Sequence, residues 1–164
     1  MISLERVKMW FGNELKRLMN EEGLAPRDIA RHCDITSNLM NNYVQGNSLP
    51  KLWTLVVMAD FLGVTVNDLL DYDFADDENL IKRDPIEIFE DEYEFAMHLH
   101  NRVYQRMIDS DTTVDDLSEK TGFSKATINR WFGFSDKGPE LPRTSDFLSF
   151  CDALECTPSD LLGY

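Results

Sequence analysis

The sequence predicts an all-α protein built from two tandem copies of a five-helix unit, joined by an acidic linker. Apolar residues recur at the three- and four-residue spacing of helices, and the alternating apolar and polar runs that indicate strands do not appear. The chain also aligns with itself when it is shifted by 88 residues, which indicates a duplication. We predict that the copies span residues 1–72 and 93–164 and that the linker spans residues 73–92.

The duplication pairs apolar residues, helix caps and prolines in the same order. The shift of 88 residues pairs Met40 with Ile128. Four extra residues then enter the second copy, and a shift of 92 pairs Leu49-Pro50 with Leu141-Pro142 and continues without a gap. Chance explains such an ordered match poorly, so both copies are predicted to fold in the same way.

Apolar spacing predicts the first helix of each copy, and a proline predicts the second. In the first copy Phe11, Leu15 and Leu18 fall on one helical face, and Gly23 ends the helix. Pro26 suits the first position of the second helix, because the N–H that proline lacks has no partner there. In the second copy Arg106 falls at an apolar position of the first helix, which leaves open a shift of one residue toward Met107.

The third helix of each copy is predicted to begin after a hydroxyl side chain. Thr36 and Ser124 suit the N-cap position, because a hydroxyl oxygen accepts a hydrogen bond from an amide of the first turn. The second copy has the longer loop after this helix, at residues 133–140. That loop either contacts a DNA backbone through Lys137 or faces a protein.

Prolines and capping boxes predict the last two helices. The fourth helices begin after Pro50 and Pro142, and the first of them ends at Gly63. The fifth helices open at Thr65 and Thr157, each followed three residues later by an aspartate.

Length and composition indicate a globular protein of one or two small domains. Of 164 residues, 43% are hydrophobic and 28% are charged. No apolar run approaches the ~18 residues of a membrane span, and no signal-peptide core follows Met1. We therefore expect a cytoplasmic protein. The three cysteines are too few for a disulfide scaffold and lack Cys-x-x-Cys spacing, so they are predicted to be plain thiols.

The net charge of −14 argues against a simple nucleic-acid binder, because phosphates repel a chain of that sign. Its distribution weakens that argument. Residues 1–72 carry a net −2, residues 73–92 a net −7 and residues 93–164 a net −5. Half of the excess therefore lies in the predicted linker.

The sequence predicts no enzyme activity, no cofactor and no metal site. Gly-rich phosphate loops, nucleophile elbows and metal-ligand spacings do not appear. His98 and His100 are two residues apart, so they point away from each other on a helix. The acidic run from Asp71 fails the calcium-loop pattern, because its sixth position is Asp76 where that loop requires glycine.

The order of helices and turns resembles the lambda-repressor-like helix-turn-helix domain of phage repressors and Cro proteins, the XRE-like family. About 60 residues of each copy carry the resemblance. Its motifs are Gly23–Ala30, Ile35–Gly46 and Leu49-Pro50 in the first copy, and Thr112–Ser118, Gly122–Trp131 and Leu141-Pro142 in the second. The resemblance implies a repressor-like transcriptional regulator of bacterial or phage type that reads double-stranded DNA with the third helix of each copy.

The resemblance also implies which residues contact DNA. The outward positions of the two third helices are Ser37, Asn38, Asn41, Asn42, Lys125, Ala126, Asn129 and Arg130. Asn pairs well with adenine and Arg with guanine. Lys51 and Arg143 begin the fourth helices, where they suit phosphate contacts. The inward positions are Met40, Tyr43, Ile128 and Trp131.

The third helices are free of acidic residues. The windows Thr36–Gln45 and Ser124–Gly133 contain no Asp or Glu, although about four would be expected from the acidic content of the chain. The second window also contains Lys125 and Arg130. By charge, therefore, the second copy is predicted to be the better DNA reader.

A protein-interaction module is the alternative function. A chain of charge −14 suits a basic partner or another repressor, as in an antirepressor or a DNA mimic on the same fold. Trp53 is expected to be exposed and is the candidate interface residue. A homodimer through Trp53, or through Ile86, Ile88 and Phe89, also stays open.

Overall fold

The computed structural model describes residues 3–72, 89–132 and 139–163. Within these ranges helices are present and strands are not. The chain divides into two compact units, and the described part of each contains five helices. The prediction of an all-α protein with two tandem copies is confirmed.

The helices of the two units follow the same order. The first unit contains α1 (Leu4–Glu22), α2 (Pro26–His32), α3 (Ser37–Val44), α4 (Leu52–Leu62) and α5 (Val66–Leu70). The second unit contains α6 (Glu92–Asp109), α7 (Val114–Thr121), α8 (Lys125–Phe132), α9 (Thr144–Ala153) and α10 (Pro158–Leu162).

The helices begin and end at the predicted signals. Gly23 and Gly63 follow α1 and α4 with φ values of 66° and 67°, a left-handed conformation that favours glycine. Pro26 is the first residue of α2. Thr65 and Thr157 each form a capping box at the start of α5 and α10.

One face of α1 supplies much of the first core. Val7, Phe11, Leu15 and Leu18 are buried and follow one another at spacings of four and three residues. This face packs on α3 and α5. Burying each such side chain contributes about 1.5–3 kcal/mol to folding. Packing against α1 therefore stabilises the position of α3.

Gly12 lets α1 approach the end of α3 closely. A Cβ atom at this position would lie 2.6 Å from the carbonyl oxygen of Val44 and 2.9 Å from that of Tyr43. Both oxygens belong to the backbone, which cannot yield as a flexible side chain can. The glycine therefore sets the distance between α1 and α3.

An aromatic cluster supports α8 in the second unit. The Phe150 ring of α9 lies 5.6 Å from Trp131, 4.9 Å from Phe132 and 5.7 Å from Phe123, measured between ring centroids. Ring pairs at these distances contribute about 0.5–1.5 kcal/mol beyond their burial. The inner face of α8 is therefore fixed by aromatic packing.

In both units the first helix donates hydrogen bonds to the last. Trp10 Nε1 of α1 donates to the carbonyl oxygen of Asp68 at 2.9 Å. Arg102 Nε of α6 donates to the carbonyl oxygen of Leu161 at 2.9 Å. A cation at the carboxyl end of a helix is favoured by the helix dipole, so Arg102 stabilises the end of α10.

The first helix of the second unit keeps the register of the first unit. The backbone bond that closes the turn after the helix ends on Met107 in α6 and on Met19 in α1. Arg106 and Leu18 each precede these methionines. The shift toward Met107 that the sequence left open does not occur.

Arg106 replaces an apolar contact with hydrogen bonds. Its Nη2 atom donates to the carbonyl oxygens of Leu154 and Glu155, both at 3.1 Å. These carbonyls follow α9 and would otherwise lack a helical partner. The guanidinium therefore joins α6 to the turn between α9 and α10.

The predicted linker falls mostly outside the described residues. Ile86 and Ile88 lie outside the described residues. Residues 133–138 of the long loop, which include Lys137, also lie outside them. Phe89 is described, and its ring centroid lies 5.9 Å from that of Phe95 and 4.9 Å from that of His98. Phe89 therefore packs on the second unit. The limits of the linker and of both domains stay a prediction.

Candidate nucleic-acid interface

Hydroxyl caps fix where α3 and α8 begin. Thr36 Oγ1 accepts a hydrogen bond from the Leu39 amide at 3.2 Å, and Ser124 Oγ accepts one from the Thr127 amide at 3.1 Å. Each cap satisfies an amide that has no partner inside the helix, which stabilises the helix by about 1 kcal/mol. The predicted caps are confirmed, and they fix the first residue of both helices.

The inward positions of α3 and α8 are those that the sequence predicts. Met40 and Tyr43 are 0% and 4% exposed, and Ile128 and Trp131 are 1% and 7% exposed. In each helix these two residues are three positions apart and lie on one face, and α8 also buries Phe132 next to Trp131. The opposite face of each helix is left to solvent.

The outward positions also agree with the prediction. Every predicted DNA-contacting residue on these two helices is exposed: Ser37, Asn38, Asn41, Asn42, Lys125, Ala126, Asn129 and Arg130. The exposed face of α3 carries a hydroxyl and three amides but no charge. The exposed face of α8 carries two cations and one amide.

Lys51 and Arg143 occupy equivalent places in the two units. Each is the exposed N-cap residue of its helix, α4 or α9. Neither side chain forms an ion pair with another residue in the described ranges. Their charges are therefore available to a phosphate within the described surface.

Lys125 of α8 is paired with an acid of α7. Its Nζ atom lies 2.6 Å from Asp115 Oδ1, and both side chains are more than half exposed. The start of α7 is held by a capping box, in which the amide and hydroxyl of Thr113 lower the pKa of Asp116. Asp115 is therefore carried on an ordered turn beside Lys125.

Arg130 of α8 is also paired with an acid. Arg130 Nε lies 3.0 Å from Glu140 Oε2, and the Glu140 amide donates to the Arg130 carbonyl oxygen at 3.2 Å. The backbone contact holds Glu140 beside Arg130. Both cations of α8 thus face acids of their own unit.

These pairs change the comparison of charge between the units. The window Ser124–Gly133 is free of acids in sequence, but Asp115 and Glu140 approach it in space. Along the sequence, Lys125 and Arg130 favour the second unit as the DNA reader, but their acidic partners are not visible there. The physical reason is that both acids come from neighbouring segments, which a window along the chain does not include.

The first unit has a cation that the sequence analysis missed. Arg27, in the first turn of α2, is exposed and forms no ion pair within the described ranges. The shift of 88 residues pairs Arg27 with Asp115 and Ser37 with Lys125. The first unit therefore carries a positive charge where the second carries a negative one. The alignment of the chain with itself could have revealed Arg27, because it pairs this cation with an acid, Asp115.

Leu39 is a second residue that the sequence analysis missed. It lies in the first turn of α3 and is 37% exposed. An apolar side chain among the polar residues of this face suits contact with a thymine methyl group in a major groove. The sequence signal was a leucine in the predicted helix that is not one of the inward positions Met40 and Tyr43.

Trp53 is half-buried in α4 and has a contact of its own within the protein. The expectation that it is exposed is wrong, because only part of its surface is accessible to solvent. Its role as an interface residue stays a prediction.

The comparison with protein families agrees with this geometry. The Cro/C1-type HTH DNA-binding domain matches residues 102–164, and the helix-turn-helix domain matches residues 10–71. The two matches lie in different units and include α3 and α8.

This chain is a tandem XRE-like helix-turn-helix protein.

No curated protein and no solved structure gives a significant match to this tandem helix-turn-helix protein. Within the described ranges, no helix combines the length and the hydrophobicity of a membrane span. The same ranges hold no group of three or more side chains that would suit a metal ion.

Proposed function

We propose that the protein is a sequence-specific transcriptional regulator of repressor type that binds double-stranded DNA in the cytoplasm. One observation carries the proposal: α3 and α8 each bury one face and expose a face without acidic residues of its own. An exposed helix of this kind fits the major groove, which is about 12 Å wide. The helix-turn-helix family supports the same function.

The exposed side chains divide into two proposed roles. Asn38, Asn41 and Asn129 have amides that match the donor and acceptor of adenine, and Arg130 matches guanine. The remaining outward residues, Ser37, Asn42, Lys125 and Ala126, complete the two faces. Lys51, Arg143 and Arg27 are proposed to contact phosphates, which position the helices without reading bases.

The tandem arrangement is proposed to replace a dimer. Two readers in one chain bind DNA with an effective concentration set by the linker, so two weak contacts add to one tighter complex. Each base read through a bidentate side chain contributes about 1–3 kcal/mol of discrimination.

A protein-interaction module is the second candidate, and the ion pairs of α8 favour it. Lys125 and Arg130 are compensated by Asp115 and Glu140, and the chain as a whole carries −14. Such a surface suits a basic protein partner. In this candidate the protein acts as an antirepressor or a DNA mimic, and Trp53 is the interface residue to change first.

Selection from random-sequence duplex DNA, first at low salt and then at physiological salt, tests the regulator. We expect the wild-type chain to enrich a motif. The Lys125→Ala/Arg130→Ala variant is expected to lose part of that motif, because it leaves Asp115 and Glu140 unpaired beside the DNA.

The control variant is Lys16→Ala/Arg17→Ala, which removes the same charge from exposed positions of α1. It should enrich the wild-type motif. Absence of any motif, together with no retention at low salt, would overturn the regulator and favour the protein-interaction module.

A further inference from the structure

The turn after α9 brings two cysteines together. The Cys156 amide donates to the Cys151 carbonyl oxygen at 3.0 Å, and the Glu155 amide donates to the Asp152 carbonyl oxygen at 3.2 Å. This pair of bonds is the Schellman motif, in which the residue after the turn packs on a residue of the last helical turn. Cys151 and Cys156 hold those two positions.

The first unit has the same turn without cysteines. Val64 donates to the carbonyl oxygen of Ala59 at 3.0 Å, and Gly63 donates to that of Asp60 at 3.1 Å. The shift of 92 residues pairs Ala59 with Cys151 and Val64 with Cys156. The second unit therefore has two thiols where the first unit has two apolar side chains.

The two thiols differ in access. Cys151 is fully buried, whereas Cys156 is half-buried and lines an open cavity of about 340 Å³. The walls of this cavity include Arg102, Arg106 and Asp160. A small reagent can reach Cys156 from the cavity, whereas Cys151 is not among the residues that line it.

The charges around Cys156 favour its thiolate. A hydrogen bond from the Cys151 thiol lowers the pKa of Cys156, and Arg106 and Arg102 lower it further, although burial and Asp160 oppose them. Both guanidinium groups are held by backbone carbonyls. Burial raises the pKa of Cys151 instead.

Backbone geometry allows the two sulfur atoms to bond. Standard bond lengths and the 3.0 Å contact between Cys156 N and Cys151 O keep the two Cα atoms within about 7 Å of each other. Disulfides span Cα separations of about 4.4–6.8 Å. The Schellman turn therefore holds the pair at a spacing that a disulfide can bridge with little movement.

We propose that Cys156 is an oxidation site for hydroperoxides and that Cys151 resolves it as a disulfide. The Cys156 thiolate sulfur attacks the terminal oxygen of ROOH, so an S–O bond forms and the O–O bond breaks. Two electrons pass from sulfur to the peroxide, which leaves as ROH after taking a proton. The Cys151 sulfur then attacks the Cys156 sulfur, an S–S bond forms, and hydroxide leaves as water with the Cys151 proton.

Peroxide titration of the full chain, followed by mass spectrometry of its peptides, tests the proposal. We expect loss of two hydrogens in a peptide that contains Cys151 and Cys156. Cys151→Ala and Cys156→Val copy the first unit and should therefore fold. Cys151→Ala should accumulate a sulfenic acid that dimedone traps, and Cys156→Val should not react in this peptide.

Cys33 is an internal control, because burial raises its pKa to about 11. Its alkylation by iodoacetamide at neutral pH should be at least tenfold slower than that of Cys156. Arg106→Gln should move the pH midpoint of Cys156 alkylation upward, whereas the midpoint of Cys33 should not change. Equal reactivity of Cys33 and Cys156, or peroxide oxidation without a Cys151–Cys156 disulfide in a folded chain, would overturn the proposal.

Discussion

At the scale of single residues, the charge around the third helix of each unit depends on a few positions at which the two units differ. Arg27 and Ser37 in the first unit correspond to Asp115 and Lys125 in the second. The second pair forms an ion pair at 2.6 Å, while Arg27 forms none within the described ranges. Exposed ion pairs contribute only about 0–1 kcal/mol, so a phosphate can compete for Lys125.

Removing the acids that pair with α8 should strengthen DNA binding. We expect Asp115→Asn and Glu140→Gln each to raise affinity for a selected duplex about two- to fivefold, because each frees a cation and removes a repulsive charge. Asp115→Arg, which copies Arg27, should raise it more. Fluorescence anisotropy titration measures the change.

The control for this prediction is Asp152→Asn, which makes the same change of charge at an exposed position of α9. It should change affinity less than Asp115→Asn does. If Asp115→Asn and Glu140→Gln leave affinity unchanged or lower it, α8 does not present its cations to DNA.

Residue identity predicted the faces of α3 and α8 but not their electrostatic surroundings. The buried positions Met40 and Ile128 follow from helical spacing, which is a local property. The partners of Lys125 and Arg130 depend on how α7 and the segment before α9 pack, which is not local. The candidate site could therefore be located from sequence, although its charge could not.

At the scale of secondary-structure elements, close packing and turn conformation fix α3 and the end of α9. The helix limits could be predicted because glycine, proline and hydroxyl caps act within a few residues. The hydrogen bonds of Arg106 could not, since they join α6 to a turn about 50 residues away.

Gly12→Ala should destabilise the first unit by about 1–3 kcal/mol, because a Cβ would collide with the carbonyl oxygens of Val44 and Tyr43. Urea denaturation measures the loss. Asn13→Ala, at the exposed neighbouring position, should have little effect. Alanine favours helices over glycine by about 1 kcal/mol, so a gain in stability for Gly12→Ala would show that α1 and α3 are not in close contact.

Glu155→Gly should stabilise the second unit by about 1 kcal/mol. Glu155 has φ 53°, a left-handed conformation that costs residues other than glycine about 1–2 kcal/mol, and the first unit has Gly63 at the equivalent position. Thermal unfolding measures the gain. Glu155→Ala keeps the strain and should not stabilise, so an equal gain in both variants would exclude this explanation.

At the scale of the whole molecule, the proposed ligand is a polyanion, although the protein itself has a net charge of −14. Half of that charge lies in residues 73–92, away in sequence from both third helices. Few phosphates are then neutralised, so we expect a weak dependence of affinity on salt. The composition alone could not predict this, because it does not show where the charges lie.

Lys51→Ala/Arg143→Ala should lower affinity similarly for all sequences and reduce the slope of log K against log salt by about 2, since each phosphate contact contributes about 0.9. Affinity titrations at four salt concentrations measure the slope. Lys16→Ala should leave it unchanged. A full slope in the double variant would show that neither cation contacts a phosphate.

Footprinting of the wild-type chain and of two one-unit variants on a selected duplex tests the central claim, that each unit reads DNA with its third helix. One variant is Asn38→Ala/Asn41→Ala in α3, and the other is Asn129→Ala/Arg130→Ala in α8. We predict two protected segments for the wild type and the loss of a different segment in each variant. A footprint that neither variant changes, or a wild-type chain that protects no DNA, would contradict the claim.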